Sequence, residues 1–215
     1  MEMTLVQKIA IWALPVLLAI TVHEAAHGFA ARLLGDRTAQ MLGRLSLNPL
    51  RHVDPVGTIV VPALLLMLGG FLFGWAKPVP VNARNFKNPR RDMALVAAAG
   101  PVSNLLMAVV WGLLLKFSLG VPQSDWIWTS LRLMSSAGIM INLILAVLNL
   151  LPLPPLDGGR VLSGVVPEAT ARSLDRIEPY GMLIIVALLA TGVLGALMAY
   201  PLNWAQSMLV ALIGL

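Results

Sequence analysis

Residues 19–35 read AITVHEAAHGFAARLLG. Before them, Ile9–Ile20 carries no charge, and after the polar cluster come Phe29, Leu33 and Leu34. His23, Glu24 and His27 therefore interrupt what is otherwise an apolar helical run. Burying an ionisable group at membrane depth costs roughly 2.5–3.5 kcal/mol on insertion scales, and such groups usually mark function. The spacing suggests what stabilises them. In HExxH the two histidines stand one helical turn apart on a single face. Both imidazoles can then reach one ion at about 2.0–2.1 Å, the Zn–N distance. Glu24, beside the first histidine, is placed to take a proton from water, which a bound divalent cation acidifies from a pKa of about 16 towards 7. An accidental His–Glu pair on a soluble helix would explain the same letters, but the apolar setting argues against it.

The whole chain agrees with that setting. Of 215 residues, 58% are hydrophobic and only 12% charged, and the mean hydropathy is +0.84. Soluble domains carry about a quarter charged residues. Met93–Leu115, Leu133–Leu156 and Tyr180–Leu215 contain no charge at all, and a spanning helix needs about 20 apolar residues. The reading is an all-α polytopic membrane protein whose partner is the lipid bilayer. The absence of cysteine excludes disulfides and thiolate metal sites. The net charge of +5 follows topology and does not indicate nucleic acid. Neither a cleaved signal peptide nor an attached soluble domain is expected. Residues 1–215 are read as one membrane-embedded domain, with a core over about 4–160 and an apolar hairpin over about 179–215.

Segment one is expected over Thr4–Leu34, ending at Gly35-Asp36. Alternation around Leu42–Leu47 suggests a short strand. Ile59–Phe73 is apolar but short, broken by Pro62 and Gly69-Gly70. Segment three is expected from Met93 to Leu119 and segment four from Leu131 to Leu151. The last hairpin is expected to break at Tyr200-Pro201. Of 15 Lys and Arg, four lie in Arg32–Arg51, five in Lys77–Arg91 and three in Arg160–Arg176. Positive loops stay cytoplasmic, and these clusters share one side only if Ile59–Trp75 enters the membrane and returns. A re-entrant loop is thus expected, with the His/Glu cluster towards the cytoplasmic side of the plasma membrane. Segment four then brings Asp157 to the same side.

Catalytic zinc takes three protein ligands and an open fourth position. Of the ten acidic residues, Asp36, Asp54, Asp92, Glu168, Asp175 and Glu178 sit in polar connections where a solvated role explains them. Glu2 is terminal, and Asp125 is expected on the far side. Asp157 closes an uncharged helix after the break LPLPP and before Gly158-Gly159, so it is the expected third ligand. Pairing with Arg160 is the plainer alternative.

Two motifs now carry a resemblance. HEAAH (His23–His27) and NLLPLPPLDGG (Asn149–Gly159) resemble those of the site-two protease family of intramembrane zinc metalloproteases, in its compact bacterial form without a PDZ domain. AGPVSN (Ala99–Asn104) is similar to the family's G-P-x-x-N element. The resemblance implies peptide-bond hydrolysis in or near transmembrane segments of membrane-protein substrates. It implies one Zn2+ per chain on His23, His27 and Asp157, with Glu24 activating water. It gives Asn149 a catalytic part, holding the substrate carbonyl or the oxyanion, which an amide N–H₂ suits. An interhelical hydrogen bond would explain Asn149 as well. Asn104 and Gly158 are expected to be structural. His52, in an Asn-Pro/Asp-Pro turn, is a candidate gate over the site. An unwound substrate segment would pair with Leu42–Leu47 or the re-entrant loop as an added strand. A metal transporter and a catalytically silent membrane scaffold could use the same metal site. A transporter, however, should spread polar residues along several helices, and here they form one cluster.

Overall fold

The computed structural model describes residues 4–60, 74, 76–122 and 126–214. The first helix, α1 (Leu5–Leu33), starts with a capping box: the Gln7 N–H bonds the Thr4 hydroxyl, and the Gln7 side chain accepts the Thr4 N–H. It ends where Gly35 adopts φ +112 and the Asp36 N–H reaches the Ala31 carbonyl. A short α2 (Thr38–Met41) follows. Helix α3 (Pro89–Leu119) begins four residues before the expected start at Met93, because Pro89 occupies the first turn and Asp92 accepts the Asn88 N–H. Helix α4 (Trp126–Leu150) is stopped by the proline-rich stretch Pro152–Pro155, in which the Pro154–Pro155 bond is cis. Then come α5 (Asp157–Val165), α6 (Glu168–Ile177), α7 (Gly181–Ala190) and α8 (Val193–Ile213).

Helices α1, α3 and α4 pack on one another, α5 lies against α3, and α8 leans on α3 and α4. Among the described residues, four helices are long and apolar enough to cross a membrane: Val6–Leu33, Pro89–Leu119, Trp126–Leu150 and Val193–Ile213. Small residues let them approach. A Cβ on Gly138 would run into the Trp111 ring, bringing α3 and α4 close together. Ala108, Leu143, Leu209 and Ile213 form a core shared by α3, α4 and α8. Two basic residues outside the three clusters cap helix ends: Lys116 donates to the Ile213 carbonyl at 2.5 Å, and Arg132 to the Ser118 carbonyl at 2.5 Å.

Several expectations need correction. No strand occurs among the described residues, and Leu42–Leu47 is irregular. Gly43 has a positive φ of +64, Leu42 and Leu47 are exposed, and the alternation there has no sheet to serve. The C-terminal hairpin turns at Thr191-Gly192, where Gly192 has φ +76, and not at Tyr200-Pro201. Pro201 lies inside α8, where packing on α3 and α4 outweighs its lost N–H and its ring's clash with the preceding turn. Asp36 and Asp92 are buried, not solvated. The expected re-entrant stretch Ile59–Trp75 lies, apart from Ile59, Val60 and Gly74, outside the described residues.

Its flanks are described, however. The Lys77 N–H donates to the His52 carbonyl at 2.9 Å, and Arg44 donates to the Lys77 carbonyl at 3.0 Å. Asp36, just past α1, accepts the Asn82 N–H at 2.7 Å and the Asn85 amide at 2.7 Å, just before α3. Burial pushes the Asp36 carboxyl up in pKa. Hydrogen bonds from the Thr38 hydroxyl, the Asn82 N–H, the Asn85 amide and the Thr38 N–H outweigh that and hold it below the usual carboxylate range. The end of α1 and the approach to α3 are therefore clamped together.

Candidate metal centre

The 3.6-residue period of α1 puts His23 and His27 on one face, with ring centroids 4.6 Å apart and planes at 88°. Asp157 arrives from the other end of the sequence. The prolines after Leu150 stop α4, and the chain folds back so tightly that a Cβ on Gly158 would strike the Leu150 and Leu151 carbonyls. That turn presents the Asp157 carboxylate to both rings. Its Oδ2 lies 3.2 Å from His23 Nε2 and 3.2 Å from His27 Nε2, and the two Nε2 atoms are 3.0 Å apart. Arg160, the plainer partner for Asp157, pairs with Glu178 at 3.4 Å instead. Among the described residues, His23, His27 and Asp157 form the one group whose ligand atoms lie within 4.8 Å of one another.

Does this triangle suit zinc? Bonds of about 2.0–2.1 Å at tetrahedral angles put ligand atoms about 3.3 Å apart, and His₂-carboxylate is a catalytic zinc donor set. The observed edges of 3.0–3.2 Å are close to that. The protonation pattern agrees. His27 Nδ1 faces the Val96 carbonyl at 2.8 Å, an acceptor, so it carries the proton and leaves a lone pair on Nε2. Asp157 Oδ2 is buried and accepts no conventional hydrogen bond among the described residues. Electron-rich atoms converge there, and a divalent cation satisfies them together.

Helix α3 forms the floor. Gly100 lies directly beneath the rings: a Cβ there would sit 2.5 Å from His27 Cε1 and Nε2 and 2.6 Å from His23 Cε1. One turn on, Asn104 Oδ1 lies 2.6 Å from His23 Nδ1. Asn104, expected to be structural, thus bonds one of the two HExxH histidines. The G-P-x-x-N element held the signal, but nothing in its letters names His23 as the partner.

Glu24 is half-buried, and its Oε2 accepts the Val79 N–H at 2.8 Å. Val79 belongs to the irregular stretch Lys77–Val81, which Pro78 and Pro80 keep out of helical conformation. The Lys77, Val79 and Asn82 N–H groups bond His52, Glu24 and Asp36 respectively, which pins the stretch across the site. Sequence reasoning missed this main-chain donor, since any residue but proline supplies one. His52 is buried, its Nε2 2.8 Å from the Ser46 carbonyl, and it braces this layer. Asn149 Nδ2 donates to the Leu145 carbonyl at 3.0 Å, within its own helix.

The family model described as "Peptidase family M50" matches residues 120–192, a span that holds Asn149 and Asp157 but not His23–His27. YwhC of Bacillus subtilis, whose name includes the words zinc metalloprotease, is 42% identical over 188 residues, covering 86% of this chain and 82% of that protein. Rip2 of Mycolicibacterium smegmatis, also named for zinc metalloprotease, is 31% identical over 181 residues, 81% of this chain but 64% of that protein. The regulator of sigma-E protease RseP of Escherichia coli is 36% identical over 109 residues, 48% of this chain and 24% of that protein. No solved structure matches. With 42% identity over most of both chains, and with multiple apolar helices long enough to cross a bilayer, the protein is a multi-pass membrane zinc metalloprotease that belongs to peptidase family M50.

Proposed function

We propose that α1, α3 and α4 form the core of a single proteolytic domain that cleaves transmembrane segments of membrane-protein substrates. In it, His23, His27 and Asp157 hold the zinc and Glu24 is the general base. The observation that carries this reading is the triangle of ligand atoms with 3.0–3.2 Å edges, formed beside the Glu24 carboxylate inside an apolar helix bundle. Bound there, zinc supplies Lewis acidity, making water a nucleophile near neutral pH and polarising the scissile carbonyl. Glu24 keeps Oε2 on the Val79 N–H, so Oε1 takes the proton from water and delivers it to the leaving amine nitrogen. Asn149 spends one amide hydrogen on Leu145 and has a second for the oxyanion. The His52 brace keeps Lys77–Val81 against the site. A helical substrate must unwind locally to expose its amide, since helix hydrogen bonds hide it.

The test uses the purified protein and a single-span membrane protein. Cleavage should stop with a zinc chelator and return on adding zinc, with one ion bound per chain. Full cleavage by protein that holds no metal would overturn the assignment.

The site is further proposed to face the cytoplasm. The bond from Lys77 to His52 and the Asp36 clamp hold together the chain on either side of Ile59–Trp75. That favours a stretch that re-enters and returns over one that crosses. Twelve of the 15 Lys and Arg then share one side. Because the chain has no cysteine, one introduced at the exposed Arg172 of α6 should react with an impermeant maleimide only from the cytoplasmic side. Labelling from outside would reverse the orientation.

A further inference from the structure

We propose that Asn104 and Asn142 form a positioning relay across three helices, fixing His23 with its proton on Nδ1 and its Nε2 lone pair turned to the metal. The inference rests on His23 being a zinc ligand. Both asparagines are fully buried, so neither amide can trade partners with bulk water. Their polarity can be traced from the main chain inward.

The Gly138 carbonyl of α4 can only accept. Asn142 points a side-chain atom at it from 2.8 Å, and that atom must be the amide nitrogen Nδ2. Asn142 Oδ1 therefore faces away, towards α3. Asn104 meets it at 2.9 Å and must offer its own Nδ2. The second hydrogen of that nitrogen points at another pure acceptor, the Ala19 carbonyl of α1, at 3.2 Å. Both Asn104 hydrogens are then committed. Its Oδ1 is left facing His23 Nδ1 at 2.6 Å, and only an N–H can meet it there. Flipping either amide would set oxygen against oxygen in a buried site, so two main-chain carbonyls, one on α4 and one on α1 itself, dictate the tautomer of His23.

Helix geometry makes the relay compact. Ala19 is one turn before His23 on α1, and Gly138 is one turn before Asn142 on α4. A single amide on α3 can thus clamp both the backbone and the ring of the ligand-bearing turn. His27 reaches the same protonation state through a simpler contact, the Val96 carbonyl. Metal-binding histidines generally donate their second N–H in this way, and loss of the acceptor typically costs 10–100-fold in metal affinity. Here the acceptor is a neutral amide whose orientation a second amide enforces. Asn104 and Asn142 are positioning residues, not ligands.

The test reads tautomer and zinc affinity, not proteolysis. The chain has three histidines, so nitrogen-15 spectra of the zinc-free protein can be assigned by substitution. The unmodified protein should show His23 protonated on Nδ1; a neutral ring with its proton on Nε2 and none on Nδ1 would overturn the relay without any variant being made. Competition with a metal-indicator dye should show zinc binding about 10–100-fold weaker in Asn104→Leu. Asn142→Leu should lose less, because Ala19 still holds Asn104. The double variant should be no weaker than Asn104→Leu, since Asn142 acts through Asn104. Wild-type affinity in folded Asn104→Leu, or losses that multiply in the double variant, would overturn the relay. His23→Ala separates the two claims. If it keeps zinc, the ligand assignment itself falls. If it loses zinc while Asn104→Leu keeps it, only the relay does.

Discussion

Glu24→Gln is expected to lower the rate of peptide hydrolysis by about 10²–10⁴-fold, the usual contribution of a positioned acid–base group. One zinc per chain should remain. Glutamine has nearly the shape of glutamate, and its carbonyl oxygen can still accept the Val79 N–H. The stretch over the site thus stays in place, and the triangle of His23, His27 and Asp157, which Glu24 does not join, stays intact. What is lost is the ability to take a proton. The same variant distinguishes a protease from a transporter or scaffold built on the same ligands, because neither of those needs a base. Hydrolysis is measured on a purified single-span protein, with zinc measured on the same sample. Undiminished cleavage by Glu24→Gln would put the base elsewhere.

Gly100→Ala is expected to weaken zinc binding by at least tenfold. Ordinary carbon contacts lie at about 3.5–4.0 Å. The new methyl would stand 2.5 Å from His27 Nε2 and Cε1 and 2.6 Å from His23 Cε1. Neither ring can step aside cheaply. His27 is tied through Nδ1 to Val96, and His23 to Asn104, and both partners ride on α3 with Gly100 itself. If α3 moves back, those bonds go with it; if it stays, the rings must turn away from Asp157. Overpacking of this kind costs about 1–3 kcal/mol in fold stability as well. Gly195→Ala is the control, because nothing lies within 4 Å of a Cβ there. Wild-type zinc affinity in Gly100→Ala would mean that the rings are not held as described. Dye competition and thermal unfolding give the two readouts.

Local chemistry made much of this protein legible before any coordinates. Helix starts and stops lie in short strings, such as Thr4 with Gln7 and the prolines that end α4, because capping and chain-breaking act within a few residues. The spacing of His23 and His27 settles their shared face for the same reason. Asp157 stood out because it follows a long uncharged helix and a proline-rich break, and the structure places it beside both histidines. The errors came where a local rule met a tertiary one. Alternation at Leu42–Leu47 promised a strand, but a strand needs a partner. Pro201 promised a break, but a long helix against α3 and α4 absorbs it. Asp36 looked solvated among basic neighbours, yet donors from Thr38, Asn82 and Asn85 close around it.

The sequence by itself determined an apolar helical chain with two histidines on one helix face, a carboxylate beside the first of them, and a second carboxylate, Asp157, after the proline-rich break. Tertiary structure alone decided which atoms meet: Gly100 under the imidazoles, Asn104 against His23, Val79 over Glu24. Residue type and spacing encode the first set, because helix geometry has one fixed period. The second set depends on how far α1, α3 and α4 approach and which way buried amides point. Those are properties of packed surfaces contributed by residues more than fifty positions apart.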